Sequence, residues 1–280
     1  LQLRRPESLD AAVSSLGNGA RALAGGTELV PLLRDGIVTA ETVVSLADVL
    51  PRGIRDGRVI GAGATLAELE VDPEIPEALR EACRLAASPQ LRNMSTIGGN
   101  LLQATRCWYW RLKFPCWLHG GDVCHAKQGE HREHAIFGNV RCASAHPSDI
   151  AAALLALNAR IRTDRRELRV AELYRLPTDD DRSTTTLAPD EVIVEVEVEA
   201  PARSTYLKAM DRKRWAFALV GVAAARYETG LRFGLAGVAP IPWELPEPAA
   251  LEEATPLPGT AYKVELARAL VRRATARVAA

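Results

Sequence analysis

Thiols, imidazoles and paired glycines are the residue types in this chain whose spacing could do chemistry, and they are crowded. Four of the five cysteines, Cys107, Cys116, Cys124 and Cys142, fall in one window, and all five histidines, His119, His125, His131, His134 and His146, lie in or beside it. Within RCWYWRLKFPCWLHGGDVC the first three thiols are spaced C-x8-C-x7-C. A chain of 280 residues can bury a core without covalent staples, so a metal or cluster site is a better reading than a disulfide framework. Structural zinc sites usually pair ligands as C-x2-4-C, and the window contains no such pair. The fifth thiol, Cys83, sits with Leu79 and Ala86 at helical spacing in PEALREACRLAAS and is expected in the core.

Two glycine pairs carry a second kind of chemistry. In AGGTELV, residues 24–30, a strand runs into Gly25 and Gly26; the backbone there can approach an anion and turn its amides toward it, with the Thr27 hydroxyl as a further donor. STIGGN, residues 95–100, repeats the device. One such pair is usually a turn; two, each beside a threonine and apolar residues, suggest two amide cradles converging on one pyrophosphate. Neither GxGxxG nor GxxxxGK[ST] occurs, so the chain points to neither a Rossmann fold nor a P-loop.

The elements that must position these groups are mixed. ARALAGG predicts a short buried strand, ELVPLLRDG a short helix with Pro31 in its first turn and Gly36 as its stop, and TVVSLA and RVIGAGA two more strands. SDIAAALLALNA predicts an apolar helix capped by Ser148, so the cysteine window is an insertion between regular elements. Beyond Asn158, the polar LYRLPTDDDRSTTTLAPDE precedes the alternating strand EVIVEVEVEA, two further strands, ALVGVAAARYE and LRFGLAGVAP, and a final helix YKVELARALVRRATARV. A domain boundary is placed near Tyr174, giving units 1–173, with the insertion at about 106–145, and 174–280.

Composition narrows the class. With 48% hydrophobic and 25% charged residues the chain reads as globular, and no apolar run approaches the roughly 18 residues that span a bilayer. LQLRRPESLD lacks a signal-like apolar core, so a cytoplasmic, reducing location is expected and no membrane partner. A net charge of zero gives no sequence-wide attraction for nucleic acid.

AGGTELV, TIGGN, HPSD and the lysine of YLKAMDRKRWAFALVGVAAA together resemble the FAD-binding medium subunit of the molybdenum hydroxylases, the xanthine dehydrogenase and carbon monoxide dehydrogenase family, over nearly the whole chain. RCWYWR and the cysteine insertion resemble the subgroup of bacterial aldehyde oxidoreductases whose flavin subunit carries an extra [4Fe-4S] cluster; 4-hydroxybenzoyl-CoA reductase has a comparable insertion with different spacing. The resemblance implies an α+β fold: a two-part FAD-binding domain of the vanillyl-alcohol-oxidase-like type, then a small α+β domain with an antiparallel sheet. It implies that Leu23, Ala24, Gly25, Gly26, Thr27, Glu28, Leu29 and Val30, with Thr96, Ile97, Gly98, Gly99 and Asn100, wrap the FAD pyrophosphate. Asp149 would bond the ribityl or ring-side atoms, Lys208 would lie near the isoalloxazine, and Trp108 would touch the cofactor.

Four soft thiolates, Cys107, Cys116, Cys124 and Cys142, match the ligand number of a four-iron cluster, with His119 and His125 close enough in sequence to replace one. Gly120 and Gly121 would let the loop bend between the second and third ligands, and the surrounding tryptophans would shield the cluster. Partners implied are a small subunit with two [2Fe-2S] clusters and a large molybdenum-cofactor subunit, with electrons passing through FAD to an external acceptor. No side chain of this chain need act as acid or base. Two other classes stay open: a zinc-stabilised, non-catalytic binding module whose glycine pairs are plain turns, and a flavoenzyme acting alone. The latter lacks a covalent-flavin histidine near the first glycine loop.

Overall fold

Short apolar runs bounded by glycine and proline become strands in three separate sheets. The computed structural model describes residues 1–279. The first sheet is parallel, in the order β1-β3-β2, from β1 (Gln2–Arg4), β2 (Arg21–Leu23) and β3 (Thr42–Ser45). β2 is largely exposed, not the buried strand its ARAL run predicts, because it is an edge with only β3 beside it. Parallel neighbours need a crossover, and the helix Leu29–Arg34 lies on it, with Pro31 in its first turn and Gly36, at φ +64°, just past its end.

The second sheet is antiparallel, in the order β4-β5-β8-β6-β7, from β4 (Ile54–Arg55), β5 (Val59–Gly61), β6 (Arg160–Thr163), β7 (Glu167–Arg169) and β8 (Ile193–Glu197). β8 is the strand of EVIVEVEVEA. It is the central strand of this sheet and not part of the C-terminal meander, so the sheet extends past the boundary placed near Tyr174. Its outward Glu195 does not face open water; Arg55 at 2.6 Å and Arg162 at 2.7 Å cover it.

The third sheet is a meander, β12-β11-β10-β9, from β9 (Arg203–Met210), β10 (Ala218–Tyr227), β11 (Gly230–Ala236) and β12 (Trp243–Leu245). Period-2 alternation sorts its side chains. Val220, Val222, Ala224, Phe233 and Leu235 face the helix Tyr262–Ala279, whereas Tyr206, Ala223, Ala225 and Ala236 join the core around the helix Asp149–Ala156. That helix is buried at every position, and its alanines let the sheet come close: a Cβ on Gly234 would lie 2.1 Å from the Ala152 carbonyl oxygen. Ser148 caps it, accepting the Ala151 N–H at 2.9 Å. Cys83 lies fully buried in the helix Glu77–Leu85, and burial raises its thiol pKa far above the ordinary value. Among the described residues no helix is long and apolar enough to cross a membrane.

Candidate cofactor sites

Both glycine loops reach one cavity of about 210 Å³, but they present different surfaces to it. After β2 the chain turns at Gly25 and Gly26 before the helix Leu29–Arg34 begins. The N–H groups of Gly25, Gly26, Thr27 and Glu28 donate to no protein acceptor among the described residues. In the second loop the amides are engaged: Ile97 N–H donates to Ala64 O at 2.9 Å, Gly98 to Ala62 O at 3.1 Å and Asn100 to Thr96 O at 2.9 Å. Gly99 donates to the Thr96 hydroxyl at 3.2 Å, an N-cap bond. The second loop therefore offers clearance more than donors, which corrects the expectation that both pairs turn their amides outward.

The two loops abut. A Cβ on Gly25 would lie 1.7 Å from the Met94 carbonyl oxygen, and the Thr27 and Ser95 hydroxyls are hydrogen-bonded at 2.8 Å. Gly26 takes φ +73°, open to glycine and strained for other residues, although a Cβ there would meet only Val30 Cγ2 at 3.3 Å and Leu23 Cδ1 at 3.5 Å. Leu23 to Leu29 line the cavity with Thr96, Gly98, Gly99 and Asn100; Val30 is instead half exposed, and Ile97 points into the core. The remaining walls carry no local signal in the sequence; they are Ala22, Leu32, Leu46, Leu50, Leu102 and Gln103 together with Glu191, Val192 and Ile193 at the start of β8. Glu28 bolts the first loop to the cysteine window through ion pairs with Arg106, at 3.1 Å, and Arg111.

A second cavity, about 250 Å³, is lined by Arg106, Cys107, Trp108, His134, His146 and Phe217 among others. Trp108 thus stands where a cofactor could touch it. Asp149 and Lys208 line neither of these two cavities. They form a buried ion pair at 2.6 Å; Lys208 also donates to Leu85 O at 3.0 Å, and Tyr206 donates its hydroxyl to the other Asp149 oxygen. Gly221, paired with Lys208 across β9 and β10, makes room for that tyrosine, since a Cβ there would lie 2.1 Å from its hydroxyl oxygen. The pair joins the helix Asp149–Ala156 to β9, and Ser148, next to Asp149, donates to Asn100 Oδ1 at 2.6 Å.

The cysteine window folds as a short helix, Trp108–Arg111, two single turns of 3-10 helix, Trp117–His119 and His125–Lys127, and irregular chain. All four window thiols line one enclosed space, with Tyr109, Trp110, Trp117 and His125. Gly120, at φ +95°, makes the bend between Cys116 and Cys124. The neighbouring Cys142 thiol holds Cys124 well below the ordinary thiol value while Cys124 pushes Cys142 up; the Ala143 N–H, 3.4 Å from Cys124 Sγ, supports the thiolate further. Burial pushes Cys107 up to about 11. Among the described residues no three Cys, His, Asp or Glu side chains meet closely enough to hold a single metal ion.

The polar 175–190 segment closes over the window. Arg182 lies 4.9 Å from the Trp117 ring centroid and donates to Gly121 O at 2.9 Å, and Asp179 accepts from Trp117 Nε1 at 3.1 Å. His119 stacks on Trp110 outside the enclosed space. His134, which sequence reasoning passed over, is buried with its Nε2 3.2 Å from Cys107 Sγ, and burial, then Lys263 and His131, lower its pKa to about 4.

A family model described as "FAD binding domain in molybdopterin dehydrogenase" matches residues 1–201. The aldehyde oxidoreductase FAD-binding subunit PaoB of Escherichia coli strain K12 is 36% identical over 248 residues, 81% of this chain and 77% of that one. The carbon monoxide dehydrogenase medium chain of Afipia carboxidovorans is 41% identical over 106 residues, 34% of this chain and 37% of its own length. In fold, a chain of the reconstituted CO dehydrogenase from Oligotropha carboxidovorans superposes with a TM-score of 0.71 at 23% identity, covering 99% of this chain and 97% of that one.

Proposed function

The chain belongs to the FAD-binding medium subunits of the molybdenum hydroxylase family, and from that premise we propose that it carries electrons through FAD in a heteromeric molybdenum-containing oxidoreductase. The observation that supports the reading best is the meeting of two glycine loops at one cavity, one with four unengaged backbone donors and the other with bare glycine surface. Backbone N–H groups at Gly25 to Glu28 would hold the pyrophosphate, with Gly98 and Gly99 beneath it. Gln103 lines the first cavity and Arg106, three residues on, lines the second, which supports placing the ring end in the second one, against Trp108 and His146. Asp149 and Lys208 would act on the flavin by fixing Ser148 and, through it, Asn100. Bound FAD supplies the redox chemistry, and this chain's residues bind it, orient it and limit the access of water.

The finer features follow the same way. We read Cys107, Cys116, Cys124 and Cys142 as ligands of a [4Fe-4S] cluster, because the donor set is four soft thiols and all four line one space walled by aromatics. Substrate oxidation would take place in a large molybdenum-cofactor subunit, and a small subunit with two [2Fe-2S] clusters would feed the flavin. Similarity to an aldehyde oxidoreductase subunit supports an aldehyde-oxidising complex. The flavin-binding unit would run through β8, with the window as its insertion.

The test is made on the purified chain. It should show flavin absorbance with iron and acid-labile sulfide, be reduced by dithionite, and leave aldehydes and purines untouched until the other two subunits are added. Cys116→Ser should lose the iron signal and keep FAD, and Cys83→Ser should change neither. Bleaching of the flavin by substrate in the isolated chain would place the active site here and overturn the assignment.

A further inference from the structure

Cys107 is the one cysteine of the window that lines both the enclosed thiol space and the second cavity, so it forms the partition between them. His134 stands against it. The imidazole is 2% exposed, packs edge-on against Trp108 with ring centroids 4.7 Å apart, and brings Nε2 to 3.2 Å from Cys107 Sγ.

Its backbone is pinned from the far end of the chain. Lys263, on the helix Tyr262–Ala279, is fully buried, and its ammonium donates to three carbonyls: Glu133 at 2.7 Å, His134 at 3.0 Å and Gly237 at 2.9 Å. Two more bonds fasten the same turn, Gly259 N–H to His131 Nε2 at 3.0 Å and Tyr262 hydroxyl to Arg132 O at 3.0 Å. A buried ammonium with three carbonyl acceptors is costly to move, because any displacement leaves a charge and several carbonyls unpaired.

We propose that His134 is a positioning residue that donates a hydrogen bond from Nε2 to the Cys107 thiolate, fixing and tuning the one ligand that separates the cluster from the flavin-side cavity. This rests on the reading of Cys107 as a cluster ligand. A ligating thiolate carries no proton, so the shared hydrogen belongs to the imidazole, and Nδ1, which is buried without a partner among the described residues, keeps its lone pair. A donor at sulfur withdraws electron density from the iron it ligates and favours the reduced cluster, so its loss should lower the potential. The histidine also wedges Trp108, so one side chain sets both the electronics of the ligand and the wall of the adjoining cavity.

The experiment compares the full-length wild type, His134→Leu and His134→Gln by iron and sulfide content, FAD content and a dithionite redox titration followed by EPR. His134→Leu should keep iron and FAD, while its ratio of reduced to oxidised cluster at fixed potential falls about threefold to tenfold, tenfold being 59 mV for one electron. His134→Gln, which retains an N–H donor, should recover most of that shift. If iron is lost in His134→Leu but kept in His134→Gln at the wild-type potential, the donor role is likewise supported. An unchanged potential in an iron-replete His134→Leu overturns it. So does iron loss in both variants, which would make His134 a ligand or a folding element, and so does an iron-replete His134→Gln that shifts as far as His134→Leu. Absence of iron and sulfide from the wild type would instead defeat the cluster reading itself.

Discussion

Gly25-Gly26 and Gly98-Gly99 are the same dipeptide, each within two residues of a threonine, and they do different work at one cavity. The first pair is needed for backbone geometry: one glycine lies against the Met94 carbonyl, the other takes a positive φ, and the amides around them stay unengaged. The second pair has its amides committed to Ala62 O and the Thr96 hydroxyl, and its lack of side chains clears space. What distinguishes them is the strand-to-helix turn in one case and a capped helical turn in the other. A glycine pair therefore names a close approach, and the partners of its N–H groups decide whether that approach supplies donors.

Substitutions can break the contrast. The largest effect is expected from Gly25→Val, because carbonyl and Cβ would share the same space and both are fixed to backbone; the two loops must part, at a cost of about 3 kcal/mol or more. The variant should emerge from gel filtration without FAD and with a clearly lowered melting temperature. Gly26→Val should also lose FAD, but mainly through strain at φ +73°, about 1–3 kcal/mol, since a Cβ there meets only side-chain atoms, Val30 Cγ2 at 3.3 Å and Leu23 Cδ1 at 3.5 Å. Gly26→Asn, which tolerates the left-handed region, should keep part of its flavin, and normal FAD stoichiometry in Gly26→Val would remove the first loop from the binding site. Thr96→Ala should have the smallest effect: it deletes an N-cap worth about 1 kcal/mol, visible as a lower denaturant midpoint, while FAD content is retained because that loop's donors are not the ones in use.

Local features of the fold could be read from the sequence. The Ser148 cap, the Gly36 stop and the burial of Cys83 follow from residue type and short spacing, and the recurrence of the glycine pair is the signal for two loops meeting at one cavity. Long-range pairing could not. EVIVEVEVEA announces a strand but not the sheet it enters, and HPSD announces Asp149 without showing that Tyr206 and Lys208, arriving on β9, occupy both its oxygens. Lys263 had a legible signal. It begins the buried stripe Lys263, Ala267, Leu270, Val271, Ala274 and Val278 along the last helix, so its spacing marks it as inward, although its three carbonyl partners lie in two distant loops.

The central place of β8 also bears on how the protein is made. The second sheet draws β4 and β5 from before residue 62 and β6 and β7 from after residue 159, and the two halves touch only through a strand that starts at Ile193. A nascent chain that has emerged as far as residue 190 has both half-sheets with open edges and a flavin cavity missing the wall of Val192 and Ile193. Cofactor capture is then expected only after the chain has emerged past Ile193, and the slow closure of such distant contacts delays it.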